Sequence, residues 1–313
     1  MEVLSSIARA ESLFGAAVTL GNFDGVHRGH QRLVERTRQH AARLSAKAAV
    51  LTFWPHPAKV LAPALVPPLI TTRERRRELL AEAGCDAVIE QPFDRAFASL
   101  TPTEFEALLL DGLGARAVVV GYDFSYGRGR AGGVESLRVA CEERGATLDI
   151  VPQVRVDGLV ASSTQVREMV LAGHVEGART LLGRDFDLDG PVVAGDGRGR
   201  TIGVPTANIA SETELWPAIG VYATRVRLPG GEWAQGACNV GLNPTFRPQS
   251  ESGLASRAIS IEVHVLDRSL DLYGQKLRLA FVARLRPERR FPTAEALVEQ
   301  IRLDIEETRR RLG

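Results

Sequence analysis

The chain has 313 residues, with 39 Lys and Arg against 38 Asp and Glu, six His and a formal charge of +1. That balance leaves no global field to draw in nucleic acid or an anionic membrane, and no apolar stretch approaches the ~20 residues of a membrane helix. Cys85, Cys141 and Cys238 are odd in number and outside any CxxC spacing, which argues against a disulfide framework or a zinc site and leaves them as core or surface thiols. The 44% hydrophobic content is enough for two cores, and an N-terminus without a basic region followed by an apolar run places the expected chain in the cytoplasm.

Between residue 16 and about residue 152 short apolar runs alternate with helical patterns, the mark of a parallel sheet with crossover helices. The runs Ala17 to Leu20, Ala48 to Phe53, Ala87 to Ile89, Ala117 to Val120 and Leu148 to Val151 read as buried strands. Thr71 with Glu74, and Thr101 with Pro102 and Glu104, predict capped helix starts near residues 72 and 102. The basic cluster Arg73 to Arg77 reads as a solvated helix face, and a single helical stretch is predicted from about Thr164 to Leu182.

From about residue 185 the pattern changes to short strands with Gly and Pro turns, so the predicted domains are 1–184 and 185–313. Val192 to Ala194, Tyr222 to Leu228, Ala258 to Leu266 and Leu277 to Ala283 fit antiparallel strands of a small β-barrel. Leu297, Ile301 and Ile305 recur every four residues between Ala294 and about Arg310, which predicts a terminal amphipathic helix on that barrel.

Directly after the first predicted strand comes Gly21-Asn22-Phe23-Asp24-Gly25-Val26-His27-Arg28-Gly29-His30, and then a helix pattern through Leu44. Ligands of open parallel sheets bind beyond the carboxyl ends of strands, where helix N-terminal amides favour phosphate. With Gly29 allowing close approach, His27 and His30 can donate hydrogen bonds to phosphate oxygens and stabilise charge as pyrophosphate leaves an α-phosphorus. Gly21, Phe23 and Asp24 are candidates for nucleotide contact in the same loop. A lone histidine is more often a satisfied core or surface residue. The HxGH spacing at this place is more specific, and it resembles the nucleotidylyltransferase superfamily, whose second mark, an SSTxxR run at a later helix start, is matched by Ser162-Ser163-Thr164-Gln165-Val166-Arg167. Ser163, Thr164 and Arg167 are then candidates for the triphosphate, the guanidinium fork suiting its terminal oxygens and the hydroxyls having helix capping as their ordinary role.

In the second half, Gly195-Asp196-Gly197-Arg198-Gly199-Arg200 leads to Gly203-Val204-Pro205-Thr206-Ala207-Asn208. A Gly-rich run alone is usually a hairpin turn. The PTAN run makes Gly195 and Gly203 candidate phosphate-loop positions, and the Thr206 hydroxyl and Asn208 amide oxygen are hard ligands suited to Mg²⁺ shared with ATP.

Taken together these motifs resemble the prokaryotic bifunctional FAD synthetases, riboflavin kinase joined to FMN adenylyltransferase, over nearly the whole chain. Further matches include Pro55-His56-Pro57, Gly121-Tyr122-Asp123-Phe124-Ser125-Tyr126-Gly127, Asn239-Val240-Gly241, Pro244-Thr245-Phe246 and Glu262-Val263-His264. The resemblance implies a Rossmann-like nucleotidylyltransferase domain followed by an antiparallel barrel kinase domain, with ATP, riboflavin, FMN and FAD as substrates and products. It also implies Glu262 as the general base toward the riboflavin 5′-hydroxyl, and Pro55, Pro57, Asp123 and Tyr126 as flavin-side residues. The chain departs from the family at Val204 and Tyr126, where Phe is commoner, and at Gln165, where a second basic residue is common. A monofunctional adenylyltransferase with a flavin-binding barrel, and a flavin-storage protein, are the competing readings; binding alone needs no transition-state machinery.

Overall fold

The structure, a computed structural model, describes residues 1–195, 203–243, 258–268 and 270–313. The chain divides into two compact units, one of Met1–Leu69 with Arg73–Ser163 and the other of Ile70–Thr72 with Thr164–Gly313.

Six parallel strands make the sheet of the first unit: β1 (Glu2–Leu4), β2 (Ala17–Leu20), β3 (Ala48–Trp54), β4 (Ala87–Pro92), β5 (Ala117–Gly121) and, after the two-residue pair β6 (Ser125–Tyr126) and β7 (Gly132–Gly133), β8 (Thr147–Val151). Their order across the sheet is β1-β4-β3-β2-β5-β8. The helices are α1 (Arg28–Leu44), α2 (Pro57–Leu61), α3 (Arg73–Glu82), α4 (Arg95–Ala98), α5 (Pro102–Glu106) and α6 (Val134–Glu143), and the hairpin β9 (Arg155–Val156) to β10 (Leu159–Val160) follows β8. All five predicted strands are present. The run Val118-Val119-Val120 shows why they are apolar throughout: Val118 and Val120 pack into the core on one face of the sheet and Val119 into the core on the other. Each such valine contributes about 1.5–3 kcal/mol by leaving water.

α5 begins as predicted, with the Thr101 hydroxyl accepting from the Glu104 amide and the Glu104 carboxylate accepting from Thr101. Helix α3 departs from expectation. Arg75 and Arg76 are buried rather than solvated, and β1, a three-residue edge strand too short for periodicity to register, joins β4.

In the second unit the single predicted helix is two, α7 (Ser163–Leu171), which begins at the junction, and α8 (Val175–Leu182). The chain turns between them at Gly173, whose φ of 78° no helix continues through. α8 buries Ala178, Leu181 and Leu182 and packs on the barrel. That barrel is closed, in the order β11-β12-β15-β14-β13-β16, by β11 (Phe186–Val193), β12 (Ala207–Ile209), β13 (Gly220–Arg227), β14 (Trp233–Asn243), β15 (Ala258–Val265) and β16 (Lys276–Arg286). Closure leaves no free edge. The predicted segment at Val192 is only the end of β11, while β12 and β14 were missed because Gly236, Asn239 and Gly241 interrupt the apolar pattern of β14 and β12 has three residues.

The terminal helix α9 (Ala294–Leu312) packs on β13, β14 and β16 as its spacing predicted. Its most enclosed side chains are polar, however. Asp304 accepts from Arg286 Nε at 2.9 Å and Nη2 at 2.7 Å and from Gln300 at 2.8 Å. Removing one partner of a buried pair leaves the other uncompensated, so Asp304→Ala should destabilise the second unit by about 3 kcal/mol in urea or thermal unfolding. An unchanged midpoint would mean that water can take over the hydrogen bonds that Arg286 gives to Asp304.

Candidate active sites

The loop after β2 leaves the centre of the sheet where strand order reverses, β2 having β3 on one side and β5 on the other. His27 is the N-cap of α1. Its Nδ1 accepts hydrogen bonds from the Gly29 amide at 3.1 Å and the His30 amide at 3.4 Å, which puts the proton of the neutral ring on Nε2. Gly29 is squeezed between that ring and the Ala161 carbonyl, and a Cβ there would lie 3.0 Å from both. The His30 ring stacks on His27 with centroids 3.7 Å apart and tilts against Phe23 at 4.9 Å. His30 keeps part of its surface exposed, but Nδ1 is buried with no hydrogen-bond partner. Burial, and then the neighbouring His27 and Arg76, hold its pKa well below the ordinary value.

Other loop candidates have structural posts. Phe23 is fully enclosed in the core under α1 and fixes the loop from below. Asp24 is buried, and its carbonyl accepts from the Ser163 hydroxyl at 2.8 Å, so the two motifs are joined within the first unit. Thr164 and Arg167 follow Ser163 in the first two turns of α7, Thr164 exposed and Arg167 half-buried.

A cavity of 720 Å³ opens at the carboxyl ends of the strands. Gly21, His27, Gly29, His30 and Ser163 line one part; Pro57, Asp123 and Tyr126 line it with Phe53, Phe93, Phe97 and Phe124. Pro55, which follows the cis Trp54–Pro55 bond, lies outside the lining. The aromatic wall is larger than motif reading suggested. Tyr126 is buried, its ring stacked on Phe124 at 5.6 Å, and its hydroxyl donates to Glu106 at 2.5 Å and meets Ser136 at 3.0 Å. Burial and the Glu106 contact push its phenol pKa upward, so it stays a neutral donor that locks the ring's orientation.

The second site is built by strand register. Asn208 of β12 stands opposite Glu262 of β15, and Glu262 stands opposite Asn239 of β14. Their buried neighbours Ile261 and Val263 point into the barrel, so alternation turns the polar three to the other face, side by side. Glu262 is half-buried and accepts from the Ser260 hydroxyl at 3.0 Å. Thr206, half-buried, directly precedes β12. The His264 ring donates from Nδ1 to the Pro205 carbonyl at 2.8 Å and pins that segment to β15. Gly195 lies against the Asn208 side chain, which a Cβ would displace, since it would sit 2.1 Å from the amide nitrogen; Gly203 occupies an exposed turn. The Gly-rich positions 196–202 and the Pro244-Thr245-Phe246 motif lie outside the described residues.

Ser260 and Arg76 were missed at the sequence level. Ser260 could have been found from its position two residues before Glu262 on an alternating strand; Arg76 carried no signal, being one arginine of a helix rich in them.

The His30 geometry has a pH consequence. Its folded pKa is depressed, so its contribution to stability is present above the ordinary histidine pKa of 6.5 and is lost as pH falls below it toward the folded value. His30→Gln should flatten the fall in stability of the first unit below that pH, measured by urea unfolding at stepped pH; a slope equal to that of the unsubstituted chain would mean His30 is not neutral in the fold.

Residues 10–165 match the FAD synthetase family model and residues 182–312 the riboflavin kinase family model. The chain is 37% identical over 292 residues to the bifunctional riboflavin kinase/FMN adenylyltransferase of Pseudomonas fluorescens, covering 93% of this chain and 91% of that protein. It is 36% identical over 291 residues to the enzyme of the same name from Escherichia coli strain K12, covering 93% and 90%. A crystal structure from Streptococcus pneumoniae described as a macrolide-efflux protein superposes with a TM-score of 0.87 at 30% identity and 98% coverage of both chains; among the described residues here, no helix is long and apolar enough to cross a membrane. With both modules matched in order and relatives aligned nearly end to end, the chain belongs to the bifunctional riboflavin kinase/FMN adenylyltransferase family.

Proposed function

We propose that this chain phosphorylates riboflavin to FMN with ATP and adenylylates FMN to FAD with release of pyrophosphate, and that it does so in the cytoplasm. The observation that carries the second reaction is the cavity of the first unit, where a phosphate-type histidine loop and an aromatic wall face one space. A ligand that suits both ends is charged and aromatic at once, as FMN with ATP is. An FMN phosphate oxygen attacks the α-phosphorus and pyrophosphate departs. His27 donates from Nε2, and neutral His30 stands beside it, so both imidazoles can meet the charge that develops on the phosphates. Ser163, Thr164 and Arg167 are assigned to the triphosphate, Asp123 and the Tyr126 ring to the flavin side.

In the kinase, Glu262 takes the proton of the riboflavin 5′-hydroxyl as its oxygen bonds to the γ-phosphorus of ATP and ADP leaves. Ser260 holds the carboxylate oxygen in place. Asn208 offers a neutral oxygen donor opposite the Glu262 carboxylate and Thr206 a second just before β12, a set that fits Mg²⁺ held jointly with nucleotide phosphates better than a metal caged by protein alone. When bound, the ion would supply neutralisation of phosphate charge.

Chromatography of products from riboflavin, ATP and Mg²⁺ tests the whole reading: FMN and then FAD are expected. FAD only from supplied FMN would leave an adenylyltransferase with a flavin-binding barrel, and no turnover would leave a storage protein. Single substitutions should split the activities. Glu262→Gln is expected to lower FMN formation by about 10²- to 10⁴-fold and His27→Ala to lower FAD formation by about 10²-fold, each sparing the other reaction; equal loss of both would point to misfolding. We place the boundary of the kinase module at residue 185. A fragment of residues 185–313 should then make FMN, though less stably than one beginning at Thr164, since α8 covers β11 and β16; a folded fragment without kinase activity would refute that boundary.

A further inference from the structure

Helix α3 brings Arg73, Arg76 and Arg77 around one buried carboxylate, Glu90 of β4. Arg73 and Arg77 reach it from partly exposed positions, with Nε donating at 2.8 and 2.9 Å. Arg76 does not share that arrangement. Its side chain is 5% exposed, and Nη2 stands 3.9 Å from Glu90, outside hydrogen-bond range. Nη1 donates at 3.1 Å to the Asn22 carbonyl, which also accepts from the Thr52 hydroxyl at 3.2 Å. Nε and Nη2 are buried with no hydrogen-bond partner, and the guanidinium carbon lies 5.5 Å from the Trp54 ring centroid. Asn22 is the second residue of the histidine loop and lines the cavity.

A guanidinium cannot shed its charge in a protein, and enclosing one with unsatisfied donors is costly. A stability role alone is poorly served by such a group. We propose that Arg76 is a positioning residue for adenylyl transfer, fixing the loop through the Asn22 carbonyl and setting, with its enclosed charge, the field that the two imidazoles and the nucleotide phosphates meet. This rests on the assignment of the loop to that reaction. His30 is faced by the stacked His27, the Phe23 ring and Arg76; Arg76 is faced in turn by Asp24 of the loop, Glu90 of β4, and Arg73 and Arg77 of its own helix. Behind burial and His27, Arg76 is the third influence holding His30 neutral.

Arg76→Met and Arg76→Lys in the full chain, with ¹⁵N-labelled histidine, test this. In the Met variant kcat/KM for FMN adenylylation should fall about tenfold, a barrier change of ~1.4 kcal/mol, while riboflavin phosphorylation is kept. The NMR titration midpoint of His30 should rise, and the acid limb of the adenylylation profile should rise with it. The Lys variant keeps the charge, so its His30 midpoint should stay near that of the unsubstituted chain while its rate drops through loss of the planar fork. Unchanged adenylylation with an unmoved midpoint in the Met variant would overturn the proposal, as would a Lys variant whose midpoint moves as far as that of Met; should the Met variant not fold, the Lys variant decides. If His30→Gln leaves adenylylation at full rate, the loop assignment itself fails, a result separate from the effect of Arg76 on the His30 midpoint.

Discussion

His27 stands at the entrance of α1 with Nδ1 turned back onto the helix's own first amides. The arrangement satisfies two donors that a helix N-terminus leaves unpaired, fixes the tautomer, and places the His30 ring face to face with the capping ring. Little can change around it. Gly29 has an imidazole on one side and a carbonyl on the other, the Ser163 hydroxyl holds the Asp24 carbonyl, and Phe23 closes the loop from the core. The loop is therefore already shaped, so that in the proposed reaction little reorganisation would be spent when charge develops.

The site proposed for the kinase reaction obtains its geometry by other means. Among the described residues no helix end is involved; three neighbouring strands place Asn208, Glu262 and Asn239 in one row because their register is set by a closed barrel. A slip of one residue in β15 would carry Glu262 into the core and Val263 out of it. Closure resists that slip, since every strand is paired on both sides, and the buried Arg278–Asp189 pair, 2.6 Å from Nε, ties β16 to β11 where the barrel closes.

A formal charge near zero conceals how unevenly charge is used inside. Glu90, Asp189 and Asp304 each lie buried against arginine. Pairs of this kind add little net stability over an apolar core, but they penalise arrangements in which one partner loses the other. Arg76 is the exception among them in having its donors only partly used, and it lies behind the histidine loop, bonded to the Asn22 carbonyl.

Local patterns in the sequence determined the parallel strands, the Thr101 cap, the terminal helix and the HxGH loop, because each depends on neighbours within a few residues: alternation or continuity of apolar side chains, a hydroxyl three positions before a carboxylate, an imidazole at a helix start. Only the motif resemblance singled out Glu262, Thr206 and Asn208 as candidates; spacing alone would have left them as ordinary residues of strands and their approaches. Tertiary structure alone decided the rest. The bonding of the Tyr126 hydroxyl to Glu106, the contact of Arg76 with the Asn22 carbonyl and the side-by-side row of Asn208, Glu262 and Asn239 all depend on partners 20 to more than 50 residues away. A chain's periodicity records which face of an element is apolar; it does not record which distant element covers that face, and the pairing of buried charges and the register of strands follow from that covering.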